Sequence, residues 1–105
     1  MYIILYTFNV IPNKEDDFIE GWKGLTEFIY KHEGSLGSRL HKSDEHNYLA
    51  YAQWPDKATF ENSSGNLPVQ AEHFRSLMRA SCNTIDILNK LDVVEDLLKE
   101  KQQNA

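Results

Sequence analysis

The segment Tyr48-Leu-Ala-Tyr-Ala-Gln-Trp54-Pro-Asp-Lys-Ala-Thr-Phe60 constrains the fold most tightly, because in it a strand hands over to a helix across a Trp-Pro-Asp hinge. Aromatic and apolar residues crowd Tyr48–Trp54. Pro55 has no backbone N–H with which to extend an inner strand, and Asp56 places a carboxylate where the positive end of a helix dipole favours one. A second junction of this kind lies near the N-terminus. Tyr2–Val10 is an almost unbroken run of aromatic, β-branched and aliphatic residues that leaves through Ile11-Pro12-Asn13 into the acidic Glu15-Asp16-Asp17. Such a run suits a strand buried on both faces, so something must cover each side of it.

The remaining elements follow from periodicity. Asn13 is placed to cap a helix over residues 14–32, whose Phe18, Trp22, Leu25 and Ile29 recur on one face, with Gly34 to end it. A strand is expected at Leu36–His41, pairing as an antiparallel hairpin with Tyr48–Trp54 across the polar turn at 43–47. A short helix starting at Asp56 is interrupted by Ser63-Ser64-Gly65-Asn66. Pro68 then opens a second helix reaching Ala80, with Phe74, Leu77 and Met78 as its apolar stripe. The last strand is expected over 83–91, where Ile85, Ile87 and Leu91 alternate against Asp86 and Lys90. Asp92–Lys99 reads as a terminal turn or short helix, so the domain spans residues 1–98 and a tail 99–105.

This order, β-α-β-β-α-β, is the ferredoxin-like α+β arrangement, with two helices on one face of a four-stranded antiparallel sheet. The other face is left bare. Since Tyr2–Val10 is apolar on both sides, that face is expected to pack against the sheet of a second copy, giving a homodimer joined through the sheet faces.

At 105 residues the chain is one domain, and its 41% hydrophobic content supports only a modest core. Sixteen acidic against 11 basic residues, the latter scattered singly, argue against a nucleic-acid partner. No apolar run is long enough to span a bilayer and no signal-like segment opens the sequence, so a soluble cytoplasmic protein without a membrane partner is expected. The single Cys82 excludes an intramolecular disulfide and reads as a small apolar strand residue.

Phosphate loops, zinc spacings and nucleophile elbows are all absent, and no cofactor is implied. What remains is a set of polar-tipped aromatics and one helix histidine. His73 precedes Phe74 at the margin of an apolar stripe, where it is either a general base in the helix–sheet space or a half-exposed helix residue. His32 and His46 fall at a helix end and a turn tip, and read as solvated. His41, next to Leu40 in the second strand, either lines the face between two paired sheets or takes a sheet-surface or interface position. Tyr6 and Phe8 alternate with Ile4 and Val10 on one strand face. There Tyr6 either donates a hydrogen bond to a bound oxygen atom or packs in the core. Trp22 is cavity wall or core, and Tyr51 and Asn62 are further pocket candidates.

The opening strand with its aromatic-x-apolar-x-Pro exit, the acid-started helix and the Trp54-to-Phe60 junction together resemble the antibiotic biosynthesis monooxygenase domain family, over about residues 2–98. The resemblance implies a dimeric α+β barrel with a ligand cavity between helices and sheet, and a Trp54 that packs rather than reacts. It also implies cofactor-independent oxidation of a small aromatic, quinol-like or hydroxyanthrone-like substrate by dioxygen. The site it suggests has His73 as proton acceptor, Tyr6 as hydrogen-bond donor, and Phe8, Trp22, Phe74, Tyr51 and Asn62 around the ring. The haem-degrading branch requires an Asn where this chain has Tyr6 and a Trp between Asp56 and Ala80 where it has none, so only His73 matches. A non-catalytic ligand-binding or self-associating module is the alternative, favoured if side chains fill the helix–sheet space.

Overall fold

A computed structural model describes residues 1–99; residues 100–105, and with them nearly all of the expected tail, lie outside the described residues. The most apolar segment takes the inside position, where both faces and both edges can be covered. Strand β1 (Tyr2–Val10) runs between β3 (Asn47–Trp54) and β4 (Cys82–Asp92), with β2 (Gly37–Lys42) outside β3, giving an antiparallel sheet of order β2-β3-β1-β4. Helices α1 (Glu15–His32), α2 (Lys57–Glu61) and α3 (Ala71–Ala80) complete the chain. This is the expected ferredoxin-like α+β order, with the second helical region divided at Ser63–Asn66.

Register decides which side chains meet the helices. Ile4 pairs with Ala52, Tyr6 with Ala50 and Phe8 with Tyr48, so the even positions of β1 and β3 share one face. Phe18 of α1 is fully buried on that face, its ring 4.9 Å from Phe8 and 5.1 Å from Tyr48. Val10, Leu25 and Met78 close this cluster, and Tyr2, Ile4 and Trp54 form a second one with Phe60 of α2 packed against it. The odd positions Leu5, Thr7, Leu49 and Tyr51 lie on the opposite face and remain half-buried.

The helices meet through a feature absent from the apolar stripe. Gly21 and Gly24 are buried on α1, and a Cβ on Gly21 would stand 2.6 Å from the backbone N of Met78. A Cβ on Gly24 would lie 2.3 Å from the Phe74 ring. The glycine pair therefore allows α3 to approach to backbone contact, and Phe74 fills the notch over Gly24.

Four local expectations are corrected. Asn13 does not cap α1. It adopts a left-handed conformation (φ 74°) that Asn tolerates, within a turn closed by Lys14 N–H donating to Ile11 O (3.0 Å), and Lys14 holds the cap position without a side-chain bond. Pro68 heads a turn that accepts from Ala71 N–H (3.0 Å), so α3 starts three residues later than expected. Residues 93–99 form neither a helix nor a packed turn, and Val94, Leu97 and Leu98 project into solvent.

The fourth correction concerns β4. Its pairing with β1 shifts between Leu5/Asn89 and Tyr6/Ile87, leaving Leu88 as an extra residue. A bulge reverses the parity of everything beyond it. Ile85 and Ile87 pair with Phe8 and Tyr6 on the helix side, but Leu91 pairs with Ile3 on the other side. Lys90 takes the helix side instead, its ammonium 5.7 Å from the centre of the Phe60 ring.

Candidate functional site

Between α1 and the sheet lies a partly open cavity of about 150 Å³. Its floor is built from Tyr6 and Phe8 of β1, Ser38 of β2, Ala52 and Trp54 of β3, and Ile85 of β4. Its roof is Trp22, Leu25, Thr26 and Ile29 of α1 with Met78 of α3, and Ser35 closes one end. Alternation along the strands brings the floor residues to one face, while the 3.6-residue period brings Trp22, Leu25, Thr26 and Ile29 to one side of α1. The void exists because alanine and serine occupy the floor under α1 where larger residues would fill it.

The wall is apolar and aromatic, interrupted by a few hydroxyl groups. Among the described residues of the wall Tyr6 alone carries an ionisable side chain, and burial pushes its phenol above the usual value. It is therefore a neutral hydroxyl at physiological pH. Ser38 Oγ donates to Tyr51 O of β3 (3.1 Å), and Ser35 Oγ accepts from Gly37 N–H of β2 (2.9 Å), so the backbones of β3 and β2 hold the two serines in place. Trp54 is buried edge-on to Phe60 (5.4 Å), and its indole N–H finds no acceptor among the described residues. Among the described residues, no carboxylate, imidazole or thiol lines the space.

Three of the residues singled out in the sequence come together here: Tyr6, Phe8 and Trp22. The other four do not. His73 is exposed on α3, its ring edge-on to Phe74 (5.1 Å), and it does not reach the cavity wall. Phe74 itself is taken up by the helix–helix contact, beside Gly24 and 6.1 Å from the Phe28 ring. Tyr51 pairs with Leu5 and Arg39 and so lies on the uncovered sheet face, while Asn62 is the exposed C-terminal cap of α2. The sequence reading missed Thr26, Ser35, Ser38 and Ala52. Thr26 stands one turn from Trp22 on the same helix, and Ser38 alternates with Leu40 in β2; those spacings were the available signals.

The other histidines lie outside the cavity. His46 Nδ1 is 3.3 Å from Glu15 Oε2, within ion-pairing distance when the imidazole is protonated. His41 Nδ1 lies 3.2 Å from Leu49 O, and the exposed His32 stacks on Phe28 (5.9 Å). Cys82, at the start of β4, has its thiol pushed up to about 11 by burial, which makes it a packing residue rather than a nucleophile. A second depression, between the start of α1 and β2, is wide and shallow and carries charges of both signs, including Asp16 and Lys42.

Comparison with known proteins agrees with this architecture. SnoaB, a cofactor-independent oxygenase from Streptomyces nogalater, superposes with a TM-score of 0.73 at 15% identity, over 93% of this chain and 97% of that one. PA3566 from Pseudomonas aeruginosa gives 0.68 at 19% identity, covering 90% and 94%. A conserved protein of unknown function from Bacteroides thetaiotaomicron gives 0.65 at 15%, covering 86% and 95%. At such identities these likenesses establish the shared fold. No curated protein matches the sequence significantly. The family profile named antibiotic biosynthesis monooxygenase matches residues 1–80, more than half of the chain, and the protein belongs to that family.

Proposed function

We propose that this protein is a cofactor-independent monooxygenase that oxidises a small electron-rich phenol or quinol with dioxygen. The observation that carries the reading is the cavity: an aromatic-walled space beneath α1 whose one ionisable group is a neutral phenol. SnoaB, with the same fold, is a cofactor-independent oxygenase. Such a site asks the substrate to supply the reactivity.

The phenolic proton leaves to solvent through the open side, since the described residues of the wall include no stronger base than water. The resulting anion transfers an electron to dioxygen, and the radical pair recombines to a carbon-bound peroxide. Collapse of the peroxide inserts one oxygen atom and releases the other as water. In these steps Tyr6 O–H donates to the developing oxyanion, while Phe8 and Trp22 hold the ring flat and keep water away. Because no protein base takes part, the rate should follow the ionisation of the substrate as pH rises, rather than a histidine near pH 6.5. Dioxygen uptake by the purified apoprotein, with flavin and chelatable metal removed, tests the reading on a panel of phenols and quinols. Absence of any accelerated uptake across that panel would abandon it.

The working unit we propose is a homodimer joined through the uncovered sheet face. Leu5, Thr7, Leu49 and Tyr51 present a half-buried, largely apolar surface there, with Leu91 exposed beside them. Light scattering should give about twice the 12.2 kDa chain mass. Leu5→Asp, which places a charge in that surface, should dissociate or unfold the protein. Parental mass and melting behaviour in the variant would place the interface elsewhere.

A further inference from the structure

We infer that the cavity is built for one aromatic ring, so the substrate is a monocyclic hydroquinone or catechol rather than a fused polycyclic phenol. The inference rests on the oxygenase reading for the chemistry of the ring, but its size limit stands on the geometry alone.

The cavity holds about 150 Å³. An engineered protein cavity of about that size, lined by aliphatic and aromatic side chains, takes up a benzene molecule, whereas sites for larger ligands typically run to about 300–1,000 Å³. Toward the helix and toward the sheet a second fused ring would need atoms where the wall already stands, and through the open side it would project into solvent and lose those contacts. On the helix side Trp22 and Ile29 form the roof. On the sheet side Phe8 and Trp54 limit the floor, Phe8 being buried against Phe18 and Trp54 against Phe60. Neither can turn aside without breaking a core cluster, and interiors packed at crystal-like density resist such movement. The described wall residues lie on the helix side of the sheet, so pairing through the opposite sheet face would not enter this space.

The polar groups fit the same ligand. The Tyr6 phenol and the Thr26, Ser35 and Ser38 hydroxyls break an otherwise apolar wall, enough to meet the two oxygen atoms of a dihydroxylated ring. The reaction balances for such a substrate. Hydroquinone and dioxygen give the hydroxyquinone and water. The ring loses four electrons and a C–H bond, one oxygen atom enters a new C–O bond, and the other departs as water with two of the released protons.

The two tryptophans of the chain, Trp22 and Trp54, both stand in the wall, so intrinsic fluorescence reports occupancy of this space directly. Anaerobic calorimetric titrations with hydroquinone, 1,4-dihydroxynaphthalene and 1,8-dihydroxyanthrone should rank them in that order. The single ring should bind at least tenfold more tightly than the double ring, and its binding should quench the tryptophans saturably. Trp22→Ala should then admit the naphthalene diol, seen through Trp54, and Ile29→Ala provides the same enlargement if the first variant fails to fold. Equal or tighter binding of the three-ring compound overturns the inference. If that compound is also turned over with dioxygen, the oxygenase reading survives while the size limit falls. Conversely, hydroquinone binding that quenches both tryptophans without accelerated dioxygen uptake upholds the size limit and removes the oxygenase reading.

Discussion

Helix α1 meets its surroundings in two ways that differ by one position in sequence. Through Gly21 and Gly24 it lies against α3 with no room for a single methyl group, while through Trp22, Thr26 and Ile29 it stands over an open space of about 150 Å³. A chain of this size has little apolar surface to bury, and an unfilled void forfeits dispersion contacts along its whole lining. The closed seam shows that the same helix can be packed to contact. The void beside it is therefore a feature of where small and large side chains are placed, with Ala52 and Ser38 beneath α1 and Phe74 inserted over Gly24.

The strongest way to break this comparison is Gly21→Ala. In an unobstructed helix the change would stabilise by about 1 kcal/mol through propensity. Here the added methyl would meet the backbone of Met78 and Phe74, which cannot step aside. Overpacking of this kind costs about 1–3 kcal/mol, and more where backbone must shift, so a net loss of about 2 kcal/mol is expected. Thermal melting should fall by roughly 10 °C. A variant as stable as the parent would show that the seam is not closed.

Gly24→Ala should cost less, about 1 kcal/mol, because its obstacle is the edge of the Phe74 ring, a side chain rather than backbone. Shortening that side chain should relieve it. In a double-mutant cycle with Phe74→Leu, chemical denaturation should show favourable coupling of about 0.5 kcal/mol or more. Strict additivity would mean that Phe74 does not occupy the notch.

Ala52→Val tests the hollow side. It adds two methyl groups, more than either glycine variant, yet points them into the cavity. Stability should stay within about 1 kcal/mol of the parent, since the new atoms fill space and valine suits a strand. Ring binding, read by tryptophan quenching, should weaken at least tenfold. A destabilisation as large as that of Gly21→Ala would erase the contrast between the two sides.

How far these features are legible in the sequence depends on the range of the physics behind them. The β-α-β-β-α-β order was readable because Tyr2–Val10, the stripe from Phe18 to Ile29 and the Trp54-Pro55-Asp56 hinge are local patterns. Asp56 does cap α2, accepting from Thr59 N–H at 2.7 Å. The bulge at Leu88 was not readable, because it is fixed by pairing with β1 rather than by any turn residue, and it carried Leu91 to the unexpected face. The cavity was legible where a single element's period sufficed, by strand alternation at Tyr6 and Phe8 and by helix spacing at Trp22. His73 sits next to the stripe residue Phe74, but a step of one residue turns a helix by about 100°, enough to carry the imidazole into solvent. The Gly21-x-x-Gly24 spacing was visible, and its meaning became clear only with α3 lying across it.

The smallest expected effect is a pH dependence that touches both regions. The Tyr6 phenol, in the cavity wall, and the Cys82 thiol, against the core, are each held above their ordinary values of 10.0 and 9.0 by burial, the thiol up to about 11. The neutral form of each is favoured in the folded chain, so the unfolded chain releases these protons first. Their contribution to stability is fully present below about pH 9, and declines as pH rises through the ordinary thiol and phenol values toward the folded ones. Urea midpoints should thus fall between pH 8 and pH 10.5, and the fall should be smaller in Cys82→Ser and in Tyr6→Phe than in the parent. At pH 8 the native thiol should react slowly with iodoacetamide and rapidly once the chain is unfolded. Rapid labelling of the native protein would mean that the start of β4 opens readily, and would weaken the view of this end of the core as closed.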